Sequence, residues 1–155
     1  MTAETSDLNE FPGFEYFIQE GQGMDYELMD PWQMVTQFHK AMGQPVDDIV
    51  EAAEAQELRS SLIREERKEL LKEIVDLAYV LIGEDVEWGD KDNLPAVDNL
   101  RLICRTLGMD FDGAFAEVHM SNMSKLGDDG KPIYREDGKV LKSSNYVPAD
   151  MTPYI

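Results

Sequence analysis

The stretch IREERKELLKEIVDLAYVLIG, residues 63–83, decides the fold. It contains no proline, and no glycine before Gly83. Leu62, Ile63, Leu70, Ile74, Leu77 and Leu81 recur at three-, four- and seven-residue steps. That spacing predicts a helix whose apolar stripe faces a core. Projected from Glu66 at about 100° per residue, Glu69 falls near 300°, Glu73 near 340° and Asp76 near 280°. The four acids thus share a sector roughly 80° wide, with the leucines directly alongside at about 20–80°. Arg64, Arg67, Lys68 and Lys72 take the other side. The expectation is that the acids line the edge of the core.

Carboxylates three and four residues apart on a helix repel one another, and the cost grows as they lose water. A cation removes that penalty. Mg²⁺ takes oxygen ligands and commonly sits between carboxylates and substrate phosphates. The same spacing also fits a solvated acidic face, since Glu is common in helices.

Outward from this run the chain reads as further helices. Asp30-Pro31 is a start signal, an N-cap followed by a first-turn proline. The helix it opens runs from about Pro31 to Met42, with Met34, Phe38 and Met42 on one face, and stops at Gly43-Gln44-Pro45. A second helical stretch begins near Val46-Asp47-Asp48 and meets no Gly or Pro until Gly83. The segment EDVEWGDKDNLP, 84–95, is a break. Helices are expected at about Ala96–Thr106 and Asp110–Ser124. Residues 1–30 lack a helical period and read as an extension. Residues 127–155, rich in Gly, Asp, Lys and Pro, read as an extended tail. Nothing argues for a sheet, so the class is all-α.

The chain has 155 residues, 43% of them apolar, enough for one domain with a core. It carries 32 acidic against 14 basic residues, a formal net charge of −18. Such a field repels a phosphate backbone, which excludes nonspecific binding to nucleic acid or an anionic membrane. It repels a nucleotide too, unless metal ions and a local basic cluster reverse the sign. Five basic residues, Lys125, Lys131, Arg135, Lys139 and Lys142, cluster near the C-terminus. The single cysteine, Cys104, allows no internal disulfide and reads as a buried thiol among Leu102, Ile103 and Leu107. No run approaches the ~18 apolar residues of a membrane span, and the start, MTAETSDLNE, has no apolar signal core. The expected location is the cytoplasm.

With these residues in hand, the chain resembles the all-α nucleotide pyrophosphohydrolases, the MazG-like superfamily that also holds dimeric dUTPases and phosphoribosyl-ATP pyrophosphohydrolases. That family's signature is EExxE followed by ExxD. Glu65, Glu66 and Glu69 form the first half here, and Glu73 and Asp76 the second, continuing as DLAYVLIG. QFHKAMGQP at 37–45 and AFAEVHMSNMSKLGDDGKPIYREDGKVLK at 114–142 extend the similarity, which is closest to the MazG-like nucleotide-pool branch. The resemblance implies a MazG-like helical bundle over residues 31–126, with an insertion at about 84–105. It implies Mg²⁺-dependent hydrolysis of a nucleoside or deoxynucleoside triphosphate to the monophosphate and pyrophosphate, with Mn²⁺ as a substitute ion. Glu66, Glu69, Glu73 and Asp76 would be metal ligands, and Glu65 an outer-shell acid or general base beside the catalytic Glu66 and Glu69. Asn122, Lys125, Lys139 and Lys142 would meet phosphate or sugar, and Phe38, His39 and Gln44 would line a base pocket. For His119 a structural role is expected.

The pattern departs from the family in one place. There the two motif halves lie on separate antiparallel helices, joined by a loop usually a dozen or more residues long. Here only Leu70, Leu71 and Lys72 intervene. On one straight helix Glu66 and Asp76 stand about 15 Å apart along the axis, beyond one ion whose ligands lie at about 2.1 Å. A homodimer, or a higher assembly, resolves this. The pairs 66/76 and 69/73 share residue 71 as midpoint, so two antiparallel copies crossing there set each half against the other. The insertion adds Glu84, Asp85, Glu87 and Asp90, which read either as extra ligands or as a solvated acidic loop. Two other readings stay open: a phosphoribosyl-ATP pyrophosphohydrolase, and a catalytically inactive helical module that keeps the fold for protein interaction.

Overall fold

The structure, a computed structural model, describes residues 30–155; the expected extension up to Met29 lies outside them. The helices are α1 (Pro31–Ala41), α2 (Ile49–Glu54), α3 (Gln56–Trp88), α4 (Leu94–Thr106) and α5 (Phe111–Met123). No strand occurs among the described residues, only an isolated antiparallel bridge between Tyr134 and Val140. The class is all-α. None of these helices is long and apolar enough to cross a membrane. The chain divides into two compact units, residues 1–58 and 59–155.

In the first unit, α1 opens on a reciprocal cap. The Asp30 carboxylate accepts from the Gln33 backbone N–H (2.8 Å), and the Gln33 side chain accepts from the Asp30 N–H (3.0 Å). Two otherwise orphaned donors are satisfied at once, and Pro31 spares the first turn a third. At the other end, Gln44 N donates to His39 O and Gly43 N to Lys40 O, closing the helix as expected at Gly43. Asp48 caps α2 by accepting from Val50 N and Glu51 N, both at 3.0 Å. The long helical stretch expected from Val46 is therefore two helices, with a break at Ala55.

The second unit is organised by α3. Its buried residues are Leu71, Ile74, Val75 and Ala78, at i, i+3, i+4 and i+7, with Asp85 further on. They pack with Val97 and Cys104 of α4, Phe111, Ala114 and Val118 of α5, and Met109 and Met151. α4 ends at Gly108, whose left-handed φ of 69° lets the chain reverse while Met109 N returns to Cys104 O. Arg67 of α3 donates to the Leu107 carbonyl (3.0 Å), satisfying one of the orphan acceptors there. The chain after α5 is held back onto the unit. Ser121 Oγ donates to Val147 O (2.7 Å), Asp110 N donates to Tyr154 O (2.8 Å), and Met151 is buried.

Two expectations about α3 are corrected. Gly83 does not end the helix, which continues to Trp88. The core stripe is also a different one. Leu62, Ile63, Leu70 and Leu77 are exposed, Leu70 at 45% and Leu77 at 50%, whereas Leu71 and Val75 are wholly buried. Of the expected stripe only Ile74 is buried, with Leu81 half-buried against it. On the same projection the buried positions fall at about 80–180° and the acids at about 280–360°, so Glu66, Glu69 and Glu73 point away from the core while Asp76, half-buried, stays on its flank. The run carries two apolar stripes. The one that is used is flanked by Arg67, Lys68 and Lys72, half-buried residues whose aliphatic stems cover apolar surface while their charges reach water. Carboxylates have no such stems and take the solvated side.

The expected insertion includes residues that serve this fold directly. Asp85, 4% exposed, accepts from the Asn93 backbone N–H and, at 2.8 Å, from the Asn93 side-chain amide. Asn93 Nδ2 also donates to Leu81 O and to Glu84. The two residues lock the turn between α3 and α4, so Asp85 is a structural acceptor.

The two stripes make a direct contrast in stability. Leu71→Ala should cost about 2–5 kcal/mol in urea unfolding. Leu70→Ala should cost about 1 kcal/mol or less when measured on dilute protein.

Candidate functional site

The expected acids separate into three places. Glu66 is exposed on α3 and lies outside both grooves that hold the other acids. Glu65, Glu69 and Glu73 border an open depression of about 500 Å³, beside Lys68, Lys72 and Asp150. Hydrogen bonds from Thr152 hold the Asp150 carboxyl below its ordinary value. Asp76 instead borders a larger groove of about 1100 Å³ on the α5 side of the helix.

This larger groove gathers what the sequence scattered. α3 contributes Lys72, Asp76 and Tyr79; α5 contributes Asn122 and Lys125; the C-terminal segment contributes Arg135, Lys139, Lys142 and Tyr146. Asn122, Lys125, Lys139 and Lys142, expected to meet phosphate, thus share one wall system with Asp76. Five cations face one carboxylate in a chain of net charge −18. A low-dielectric groove lined by one sign concentrates ligands of the other.

Within the groove each charge is oriented. Lys72 pairs with Asp76 one turn along the same helix. Lys125 Nζ donates to Asn122 Oδ1 (2.6 Å), and Lys142 Nζ lies 4.4 Å from the centroid of the Tyr146 ring, a cation–π distance. The Arg135 guanidinium holds the Asp137 carboxyl below its ordinary value. Tyr79 is fixed from behind: its hydroxyl is 3.0 Å from His119 Nδ1, and its ring lies 5.4 Å from that of Phe115. His119 therefore supports a groove residue.

Lys72, Tyr79 and Tyr146 were not singled out from the sequence, whereas Arg135 stood in the expected basic cluster. For the first two the signal was present, since they lie four before and three after Asp76 on the same helix. Lys131, one of the expected basic cluster, does not line the groove.

Phe38, His39 and Gln44 belong to the first unit. Phe38 is 56% exposed, with its ring centroid 6.4 Å from that of His39. His39 Nδ1 lies 2.9 Å from Pro45 O, across the turn that also carries Gln44.

The oxygen chemistry of the acids suits Mg²⁺. Among the described residues, however, no group of three or more His, Cys, Asp or Glu is placed to hold an ion. The acids of one chain do not converge, because α3 runs unbroken through both motif halves.

Cys104 is 0% exposed, and burial pushes its thiol pKa up. Its expected neighbours Leu102, Ile103 and Leu107 are themselves exposed; the thiol packs instead in the core of α3, α4 and α5. Comparison with known proteins found no matching family model, no matching curated protein and no matching solved structure.

A thiol that is both covered and protonated is a poor nucleophile. Labelling of Cys104 by a maleimide or disulfide reagent at pH 7–8 should be slow in the native protein and complete within seconds in denaturant.

Proposed function

We propose that the protein hydrolyses nucleoside or deoxynucleoside triphosphates to the monophosphate and pyrophosphate, with Mg²⁺ or Mn²⁺, as a homodimer or higher homo-oligomer of the MazG-like type. The observation that carries this reading is the cationic groove in which Asp76 meets Asn122, Lys125, Lys139 and Lys142. A strongly acidic chain that collects five cations around one carboxylate has a place for phosphates next to a metal-type ligand. The reading also takes in Phe38, His39 and Gln44 as contacts to the base, and expects a cytoplasmic protein.

The dimer is part of the proposal because one chain does not assemble the acids. Three features of α3 support it. The helix is continuous from Gln56 to Trp88. The acids share its outward side with exposed Leu62, Ile63, Leu70, Leu77 and Val80, an apolar content that a solvated face does not need. Leu62 and Val80 have residue 71 as their midpoint, as do 66/76 and 69/73. Two antiparallel copies crossing at Leu71 therefore match apolar with apolar at the rim while Glu66 and Glu69 of one face Asp76 and Glu73 of the other. In that arrangement Glu66, Glu69, Glu73 and Asp76 would hold Mg²⁺, which would supply charge neutralisation for the phosphates. The chain's own part is to present the carboxylates, with Glu65 beside them as the general base. It also anchors the polyphosphate on Lys125, Lys139 and Lys142.

The exposure of Glu65, Glu66, Glu69 and Glu73 without a cage in one chain equally favours an inactive helical module. One assay separates the two. Pyrophosphate release from a panel of triphosphates with Mg²⁺ should fall roughly 100-fold or more in Glu69→Ala and Asp76→Ala, the loss of several kcal/mol of transition-state stabilisation. No turnover by the wild type, or turnover indifferent to both substitutions, overturns the enzyme reading. Mg²⁺ at about 100 times its dissociation constant should add about 2.7 kcal/mol to stability, read as a rise in Tm. A fully active monomer in analytical ultracentrifugation would remove the dimer from the proposal.

A further inference from the structure

The segment between α5 and the core-bound Met151 contains the same turn twice. In Asp128-Asp129-Gly130-Lys131, Gly127 N donates to Lys131 O, Gly130 N to Gly127 O, and Lys131 N to Asp129 Oδ1 (3.0 Å). In Glu136-Asp137-Gly138-Lys139, Arg135 N donates to Lys139 O, Gly138 N to Arg135 O, and Lys139 N to Asp137 Oδ1 (3.1 Å). The glycines hold φ of 71° and 84°, so each turn is fixed by a residue that tolerates the left-handed region. The copies differ in what they serve. The second is flanked by the Tyr134–Val140 bridge and sets Arg135 and Lys139 on the groove wall; the first leaves Lys131 off it. At the turn's base, Ser143 Oγ donates to Leu126 O (2.9 Å), tying the segment to the end of α5.

We propose that this second turn is a phosphate-gripping arm, with Arg135 and Lys139 holding a linear polyphosphate chain along the groove opposite Lys125, without need of a divalent ion. The class of ligand follows from charge. A single phosphate carries about two negative charges near neutral pH, whereas the groove's five cations are set against Asp76 within it and Asp137 on Arg135, a surplus of three. Two or three linked phosphates match that surplus, and one does not. Arg135 is suited to the task because its planar fork meets two phosphate oxygens at once. The Asp137 carboxylate already takes both positions, and a bound phosphate exchanges with it there. The inference deepens the proposed function by assigning Arg135, and the turn that sets it beside Lys139, to the polyphosphate moiety, and rests on that reading only for the nucleoside attached to it.

The internal repeat supplies the control. Isothermal titration of the full chain with inorganic tripolyphosphate and with orthophosphate, in EDTA at fixed ionic strength, compares wild type with Arg135→Gln, Lys139→Gln and Lys131→Gln. Tripolyphosphate should bind at least tenfold tighter than orthophosphate. Arg135→Gln and Lys139→Gln should each weaken it by about tenfold, and Lys131→Gln, with the same charge change on the twin turn, by less than twofold. Equal loss in all three would show a general field and overturn the arm. So would equal affinity for the two anions, or no binding by the wild type. Circular dichroism spectra that match wild type keep the variants comparable. Tripolyphosphate binding without triphosphate turnover would sink the proposed reaction and leave the arm standing. Turnover with wild-type KM in Arg135→Gln and Lys139→Gln would do the reverse.

Discussion

The burial of Leu71, Ile74, Val75 and Ala78 fixes the rotation of α3, and the chemistry of the rest of the second unit depends on that rotation. A turn of about 100° one way would put Lys72 into the core, where an unpaired charge costs several kcal/mol, and the same turn the other way would exchange the seam for the second apolar stripe at Leu70 and Leu77. With the seam where it is, Lys72 and Asp76 are half-buried on one flank and open onto the groove. The remaining acids point outward. The same rotation that builds a cationic groove on one side thus leaves an acidic and leucine-bearing surface on the other.

Electrostatics and packing pull together here. A chain of net charge −18 must keep its carboxylates apart and wet. α3 does so by turning its acids to solvent and covering its core with lysine and arginine stems. Arg67 is then free to close the end of α4, and Asp85, the one acid the core admits, is taken up by Asn93. The second polar residue that the core buries, Ser121, is likewise satisfied, through Val147 O. Neither leaves a bare polar atom in the interior.

Much of this was legible in the sequence. Helix positions followed from local chemistry that acts within a few residues, as at the Asp30-Pro31 start and the stop at Gly43-Gln44-Pro45. The all-α class followed from the same signals. What could not be read was which of two apolar stripes on residues 62–81 faces inward, because the choice rests on partners in α4 and α5 some tens of residues away. Periodicity gives a face but not its complement. The misplacement of Glu66, Glu69 and Glu73 followed from that one error. Asn122, Lys125, Lys139 and Lys142 were singled out by motif, and the structure sets them along one groove with Asp76. Arg135 was visible only as one of a basic cluster, because its place on the groove wall depends on a turn in a segment that has almost no regular secondary structure, and whose order comes from Ser143, Val147 and Met151.

That anchoring has a consequence for how the molecule breaks. Residues 124–151 leave α5, carry the arm across the groove, and return to the core, where Met151 is 4% exposed and Tyr154 packs so closely on α5 that a Cβ on Gly113 would lie 2.7 Å from its ring. A protease that nicks the exposed Gly127–Lys142 stretch would cut a loop whose far side is still seated. The fragment would remain as a noncovalent part of the fold, lost only when the core itself opens. Cleavage would be visible on a denaturing gel and silent on a sizing column. The groove would lose the rigidity of its wall before the unit lost its stability.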